Sequence, residues 1–196
     1  MKKSHIVLIA IVAFLFAIAA WIIGNYNSLV ALDEETNGKW SNVETAYQRR
    51  SDLIPNLVST VKGYADFERE TLTGVIEARS KATGITLSAD ELTPENLSKF
   101  QAAQEQLSGA LSRLLVSVER YPELKANENF LSLQKQLEGT ENRIAMERNN
   151  FNESIKMYNG AIRKFPKVIF ANMMGFEKKN YFEADEAAAT APAVSF

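Results

Sequence analysis

The sequence contains no cysteine, and its only histidine is His5. Without cysteine the chain can form no disulfide, no thiolate nucleophile, no Cys-ligated metal site and no lipid-modified cysteine anchor. With histidine confined to the N-terminus, the rest of the chain cannot assemble a Ser-His or Cys-His nucleophile, or supply the His or Cys ligands of a zinc site. We therefore expect a protein that is not an enzyme, with no catalytic residues, metal, cofactor or small-molecule substrate.

Proline, glycine and positive charge are also scarce. The 196 residues include five Pro and nine Gly, few for an all-β protein, and the formal net charge is −2. Once Lys2 and Lys3 are set aside, 20 basic side chains face 24 acidic ones. A nucleic-acid partner requires a basic face, so we expect none.

What the chain does have is one unbroken apolar run, Ile6–Ile23, of 18 residues without a charge. As an α-helix the run is about 27 Å long, close to the thickness of a bilayer's hydrocarbon core. A helix also satisfies its own backbone hydrogen bonds, as lipid requires. We assign residues 6–24 as a transmembrane helix, through which the protein contacts the membrane.

The flanks of the run give it an orientation. Lys2 and Lys3 precede it, whereas the first charges after it are acidic, at residues 33–35. Because positive charge stays on the cytoplasmic side, residues 1–5 should be cytoplasmic and the bulk of the chain extracytoplasmic. This predicts a single-pass protein of the inner (cytoplasmic) membrane. The alternative is a cleaved signal peptide, for which Ala17–Ala19 has the small-x-small form of a cleavage site.

Residues 25–182 carry apolar side chains at alternating spacings of three and four. That period is typical of amphipathic helices with a seam close to that of a coiled coil, and no segment shows the alternation of a strand. The fold class predicted is all-α, with the transmembrane helix followed by an elongated antiparallel bundle of about four long helices. The four stripes begin at Leu29, Leu53, Leu97 and Phe130.

Helix ends are predicted from proline and capping residues. Pro55 either opens the second helix or lies within one long helix that joins the first two. Residues 84–94 read as a loop, after which Thr93 caps the third helix. Asn127 caps a fourth helix that ends before Pro166.

Charged residues interrupt the apolar stripes at Glu68, Glu141 and Arg148, and Arg79 lies close to one. A buried charge is costly unless it is paired, so one interpretation is an interhelical ion-pair network that sets helix register. A polar pocket or an ion-binding carboxylate pair is the second interpretation. In the third, these residues lie at the exposed edge of the stripes.

Two segments follow the fourth helix. Residues 168–182 are apolar and aromatic, and they either fold onto the end of the bundle as a hairpin or form a contact surface for a subunit, a partner or the membrane. Residues 183–196 are Ala-rich, and we expect them to be disordered. The candidate interaction residues are Val168, Ile169, Phe170, Met173, Met174, Phe176, Tyr181 and Phe182.

Several motifs resemble the LemA family. They are YNSLVALDEE at 26–35, RRSDLIPNLVSTVKGYADFE at 49–68, the long run at 119–166 and ANMMGF at 171–176. The resemblance implies a membrane-anchored, antiparallel helical bundle of bacteria, with no established active-site residues to carry over. Some relatives are encoded beside membrane-bound metalloproteases, which implies a role in handling envelope proteins.

Two functions from different classes follow. The first is a self-assembling structural or scaffold protein of the bacterial envelope, acting as a homo-oligomer. The second is an adaptor or accessory subunit of an envelope complex, such as one with a membrane-bound metalloprotease. An enzyme is the remaining alternative, and it would have to use carboxylates alone, such as Glu68 and Glu141.

Overall fold

The computed structural model describes residues 3–64 and 68–182, with side chains from residue 5 onward. Within these residues every regular element is a helix, which confirms the predicted all-α class. The elements are α1 (Lys3–Lys62), α2 (Arg69–Thr83), a 3₁₀ turn (Ala89–Glu91), α3 (Pro94–Val118), α4 (Pro122–Lys125), α5 (Glu128–Ile162) and α6 (Lys167–Met174). The predicted disorder of residues 183–196 lies outside the described residues.

The first helix runs without interruption from the apolar run through Pro55. Proline lacks the N–H that would bond the carbonyl four residues earlier, that of Ser51. The Arg79 Nε of α2 donates to this Ser51 oxygen at 2.8 Å. An arginine from another helix therefore satisfies the acceptor that Pro55 leaves open, and the single-helix alternative is the correct one.

The predicted second helix was wrong in its extent, because its stripe is divided between two elements. Its first part, including Leu53 and Leu57, belongs to α1, and its last part, Leu72 and Val75, belongs to α2. The α1 helix ends at Lys62, immediately before Gly63, a residue that ends helices readily. The helical period continues across this break, so spacing alone did not reveal it.

Capping residues mark the starts of α3 and α5 at the positions that the sequence predicts. The Thr93 side chain accepts a hydrogen bond from the backbone N–H of Asn96, with Pro94 in the first turn of α3. Asn127 Oδ1 accepts from the N–H of Phe130 at 3.1 Å at the start of α5. Both predicted caps are confirmed, and residues 84–93 form no α-helix, so the predicted loop ends one residue earlier than expected, because Pro94 is the first residue of α3.

The chain divides into two compact units, and α1 and α5 contribute to both. In the first unit, described over residues 3–39 and 153–179, a small core forms around Leu29, Tyr158, Ile162 and Ala171. This core therefore joins α1, α5 and α6.

The second unit is described over residues 40–64, 68–152 and 180–182. Trp40 contacts Phe151 and Arg50 pairs with Glu141, so α1 and α5 run antiparallel there. Its core draws on α1 through α5, and its fully buried members include Leu57, Val61, Val75, Leu107, Leu114 and Leu124. Burying one Leu or Val side chain in such a core contributes about 1.5–3 kcal/mol, so packing alone can hold a disulfide-free unit.

Candidate functional site

The candidate interaction segment begins in the first unit with α6. Ala171 is buried at 1% exposure, and Gly175, at φ 76°, ends the helix in the left-handed conformation that favours glycine. Met173 is 79% exposed and Ile169 48%. The helix therefore has one packed side and one uncovered apolar side.

Aromatic contacts hold α6 against α1 within this unit. The Phe170 ring meets Trp21 edge to face at a centroid distance of 5.2 Å, and Phe176 meets Tyr26 at 5.8 Å. Lys167 Nζ lies 2.9 Å from Ser28 Oγ. The segment thus lies beside the last turns of the apolar run, next to Trp21, and Trp is enriched at membrane interfaces.

Lys179 ends the first unit in a polar cluster. Its ammonium group pairs with Asp33 at 2.9 Å and donates to Asn37 Oδ1 at 2.9 Å. Its backbone N–H and carbonyl both bond the side-chain amide of Asn159, each at 2.9 Å. Burial, with the Asp33 and Glu177 carboxylates nearby, raises the pKa of the adjacent Tyr158 to about 12. The cluster fixes the extended chain that follows α6.

The second unit repeats this arrangement at Phe182. The Asn152 amide bonds both the carbonyl and the N–H of Phe182, at 3.1 and 2.9 Å. The Phe182 ring lies 5.8 Å from Trp40 and 5.7 Å from Phe151, and Arg148 lies over it at 4.8 Å. Phe182 is only 4% exposed, so it is a core residue here and not a free contact residue.

A buried arginine dominates the polar chemistry of the second unit. Arg50 is 1% exposed and donates to Ser108 Oγ at 2.7 Å, Glu141 Oε1 at 2.8 Å and Gln104 Oε1 at 2.6 Å. Its Nε is buried without a hydrogen-bond partner among the described residues. Charge-assisted bonds from one guanidinium thus link α1, α3 and α5.

Two small clefts flank this arginine, and neither resembles a substrate pocket. One has about 60 Å³ and is lined by Arg50, Glu141 and Arg148, and the other has about 80 Å³ and is lined by Glu44 and Tyr47. Small-molecule sites are typically about 300–1,000 Å³. Burial raises the pKa of both Glu44 and Tyr47, although Arg148 and Arg50 oppose this at Tyr47.

The four charged residues predicted from the stripes have different surroundings. Glu141 and Arg148 line the same cleft, and Glu141 pairs with Arg50. Glu68 precedes α2 and pairs with Arg120 at 2.7 Å, with both side chains well exposed. Arg79 donates to the Ser51 carbonyl. The structure therefore brings two of the four together and gives the other two separate partners.

Sequence reasoning missed Arg50, and it missed that Asn152 and Asn159 bind the backbone of the segment after α6, although each left a signal. The buried α1 positions 40, 43, 47, 54, 57 and 61 are spaced by three and four only if residue 50 is included. Asn152 and Asn159 are two turns apart and so share one side of α5.

Within residues 3–64 and 68–182, no three His, Cys, Asp or Glu side chains gather into a group that could hold a metal ion.

Comparison with known proteins identifies the family of this chain. Residues 39–196 match the model of the LemA family. The chain belongs to the LemA family. The match covers all of the second unit, including Arg50 and Asn152, and extends over α6.

Named relatives of this LemA-family chain include two kinds of protein. The magnetosome protein MamQ of Magnetospirillum gryphiswaldense is 30% identical over 193 residues, which cover 90% of this chain and 71% of the relative. The magnetosome protein MamQ 2 of Paramagnetospirillum magneticum is 27% identical, covering 95% and 75%. Protein LemA of Metamycoplasma hominis is 26% identical, covering 84% and 71%. The apolar stretch of α1 is long and apolar enough to cross a membrane and is not buried within the chain, which indicates a membrane-associated protein.

Proposed function

We propose that this LemA-family protein is a non-enzymatic scaffold of the bacterial envelope, anchored in the cytoplasmic membrane by residues 6–24 and self-assembling through its exported helices. One observation supports the proposal of a membrane anchor. The apolar window of α1 has a mean hydropathy of 3.2, and none of it is buried within the chain. An apolar window of this length that is not buried within the chain requires an apolar solvent.

Two features support the scaffold role: the small size of the described clefts and the large apolar side chains that are exposed on the second unit. The described clefts are small, and the polar groups within them bond one another, as Arg50 does with Glu141 and Gln104. Large apolar side chains remain in solvent on the second unit, where Val116 is 72% exposed and Ile76 45%. Where such side chains adjoin in a contiguous patch, they favour association with other protein chains.

The native mass of the full-length protein, extracted from its own membrane in mild detergent, tests this role. A multiple of 21.9 kDa that persists when the detergent-to-protein ratio is raised would support self-assembly. A monomer at every ratio would contradict it. A complex containing a second polypeptide in fixed proportion would instead favour an adaptor or accessory subunit, for example of a membrane-bound metalloprotease.

The proposed topology has its own test, because the chain has no native cysteine. Lys156→Cys, at a side chain 72% exposed, should react with a membrane-impermeant maleimide in intact spheroplasts. Lys2→Cys, the matched control, should react only after the membrane is permeabilised. The reverse pattern would show that the helices are cytoplasmic.

A further inference from the structure

Three large apolar side chains in α6 and just before it are exposed in the first unit. Phe165 is 81% exposed, Ile169 48% and Met173 79%. Ile169 and Met173 are one helical turn apart and so lie on the same side of α6, whereas Phe165 precedes the helix. Together they form what we call the α6 apolar edge.

The opposite side of α6 is already packed, so the edge is not a disordered remnant. Ala171 is buried in the core with Leu29, Tyr158 and Ile162. Phe170 and Lys167 contact Trp21 and Ser28 of α1. These contacts fix the helix while the edge points away from the unit's own core.

The position of α6 along α1 decides what can cover the edge. Trp21 lies two residues before the end of the apolar run Ile6–Ile23, at the level where an interfacial aromatic residue belongs. Since the Phe170 ring lies 5.2 Å from Trp21, this part of α6 lies at that same level, whereas Lys167 at the start of α6 lies beside Ser28, beyond the end of the run. A bilayer that contains the whole apolar run therefore reaches Phe170 of α6.

The charges around α6 are those that anionic headgroups attract. Arg163 and Lys164 are exposed and directly precede Phe165, and exposed Lys178 follows the helix. Glu177 is the one acidic residue between positions 163 and 179. Basic residues beside an apolar face are typical of helices that lie in the plane of a membrane surface.

We propose that the α6 apolar edge inserts into the outer boundary of the same bilayer that α1 spans, with Arg163 and Lys164 at the lipid phosphates. The proposal rests on the membrane anchoring proposed above. It gives the first unit two attachments to the membrane, one spanning and one interfacial. The tilt of α1 against the bilayer is then restrained by α6.

Spin labels on single cysteines test this in the full-length protein, reconstituted into vesicles of phosphatidylcholine with a minor share of phosphatidylglycerol. A label at Met173→Cys should be accessible to oxygen, which concentrates in lipid, and protected from a water-soluble nickel chelate. The matched control is Glu177→Cys, at an exposed position three residues past the end of α6, and it should be accessible to the chelate. Both positions are exposed, so neither label should disturb packing.

Other accessibility patterns would overturn the proposal. A Met173 label as open to the chelate as the Glu177 label would place the edge in water. A label protected from both reagents would place it in a protein contact. A label at Phe14→Cys, in the span, reports on the anchor itself: if that label is in water, the anchoring proposal has failed, whereas a lipid-embedded Phe14 label beside a water-exposed Met173 label refutes only the α6 inference.

The basic residues have a separate test. Arg163→Gln with Lys164→Gln should move the Met173 label toward water in vesicles that contain phosphatidylglycerol. In pure phosphatidylcholine the double variant should match the wild type. An equal shift in both kinds of vesicle would overturn the contact with anionic phosphates.

Discussion

Two stretches of the same helix α1 are both rich in apolar residues, yet they have opposite surroundings. In residues 6–23 the side chains are open to the outside, with Leu15 59% exposed and Phe16 77%. In residues 40–62 the apolar side chains are buried, and Val43 and Leu57 are 0% exposed. Hydrophobicity without a period requires an apolar solvent on every side, whereas hydrophobicity at spacings of three and four requires protein on one side only.

The largest effect is expected when charged residues are introduced into residues 6–23, the stretch of α1 without a helical period. Replacing Ile11 and Leu15 together by Arg should release the protein from the membrane, because each Arg near the centre of a span costs about 2.5–3.5 kcal/mol on insertion. The measurement is the fraction retained in the membrane pellet after an alkaline carbonate wash. Ile11→Leu with Leu15→Ile is the control, and equal retention of both double variants would remove the distinction between the two stretches.

Truncation of one leucine in each stretch sharpens the comparison. Leu57→Ala should lower the free energy of unfolding by about 2–5 kcal/mol, because it opens a cavity in the core of the second unit. Leu15→Ala, at a 59% exposed position, should change it by less than about 0.5 kcal/mol. Urea unfolding in detergent compares the two variants, and similar losses would mean that Leu15 also packs against protein.

Residues 40–62 of α1 also contain a buried charge, Arg50, whereas residues 6–23 contain no charged residue. Glu141→Gln should lower the free energy of unfolding by about 1–2 kcal/mol, since it removes the charge opposite buried Arg50 while Glu141 itself is 44% exposed. Glu138→Gln is the matched control, at an exposed carboxylate one turn earlier in α5, and should cost under about 0.5 kcal/mol. If both variants are equally stable, Arg50 is held by its neutral partners alone.

The smallest effect concerns Tyr158, which packs with Leu29, the first fully buried residue of α1 after the span. Its pKa is raised to about 12 in the folded protein, chiefly by burial. The folded state therefore keeps the phenol proton where the unfolded chain loses it, and this stabilisation is present below about pH 10 and lost as pH rises toward 12. The urea midpoint of the wild type should fall over this window more steeply than that of Tyr158→Phe. Parallel curves would contradict the linkage.

Local signals in the sequence were enough for much of the fold. Thr93 and Asn127 cap helices as predicted, because a cap depends on residues three positions away. The break after Lys62 was missed, because Leu57, Val61 and Leu72 keep a helical period across it. Arg50 was missed because a stripe search counts apolar side chains, although position 50 completes the buried spacing of α1.

By itself, the sequence determined the apolar run, the helical class and the membership in the LemA family. Those depend on composition and on periods within a few residues, since a helix closes its hydrogen bonds locally. Only the tertiary structure decided that Arg79 compensates for Pro55, that Arg50 is the partner of Glu141, and that Phe182 is buried beside Trp40 while Met173 is not. Each of these depends on side chains far apart in the chain, and local spacing carries no information on which distant groups meet.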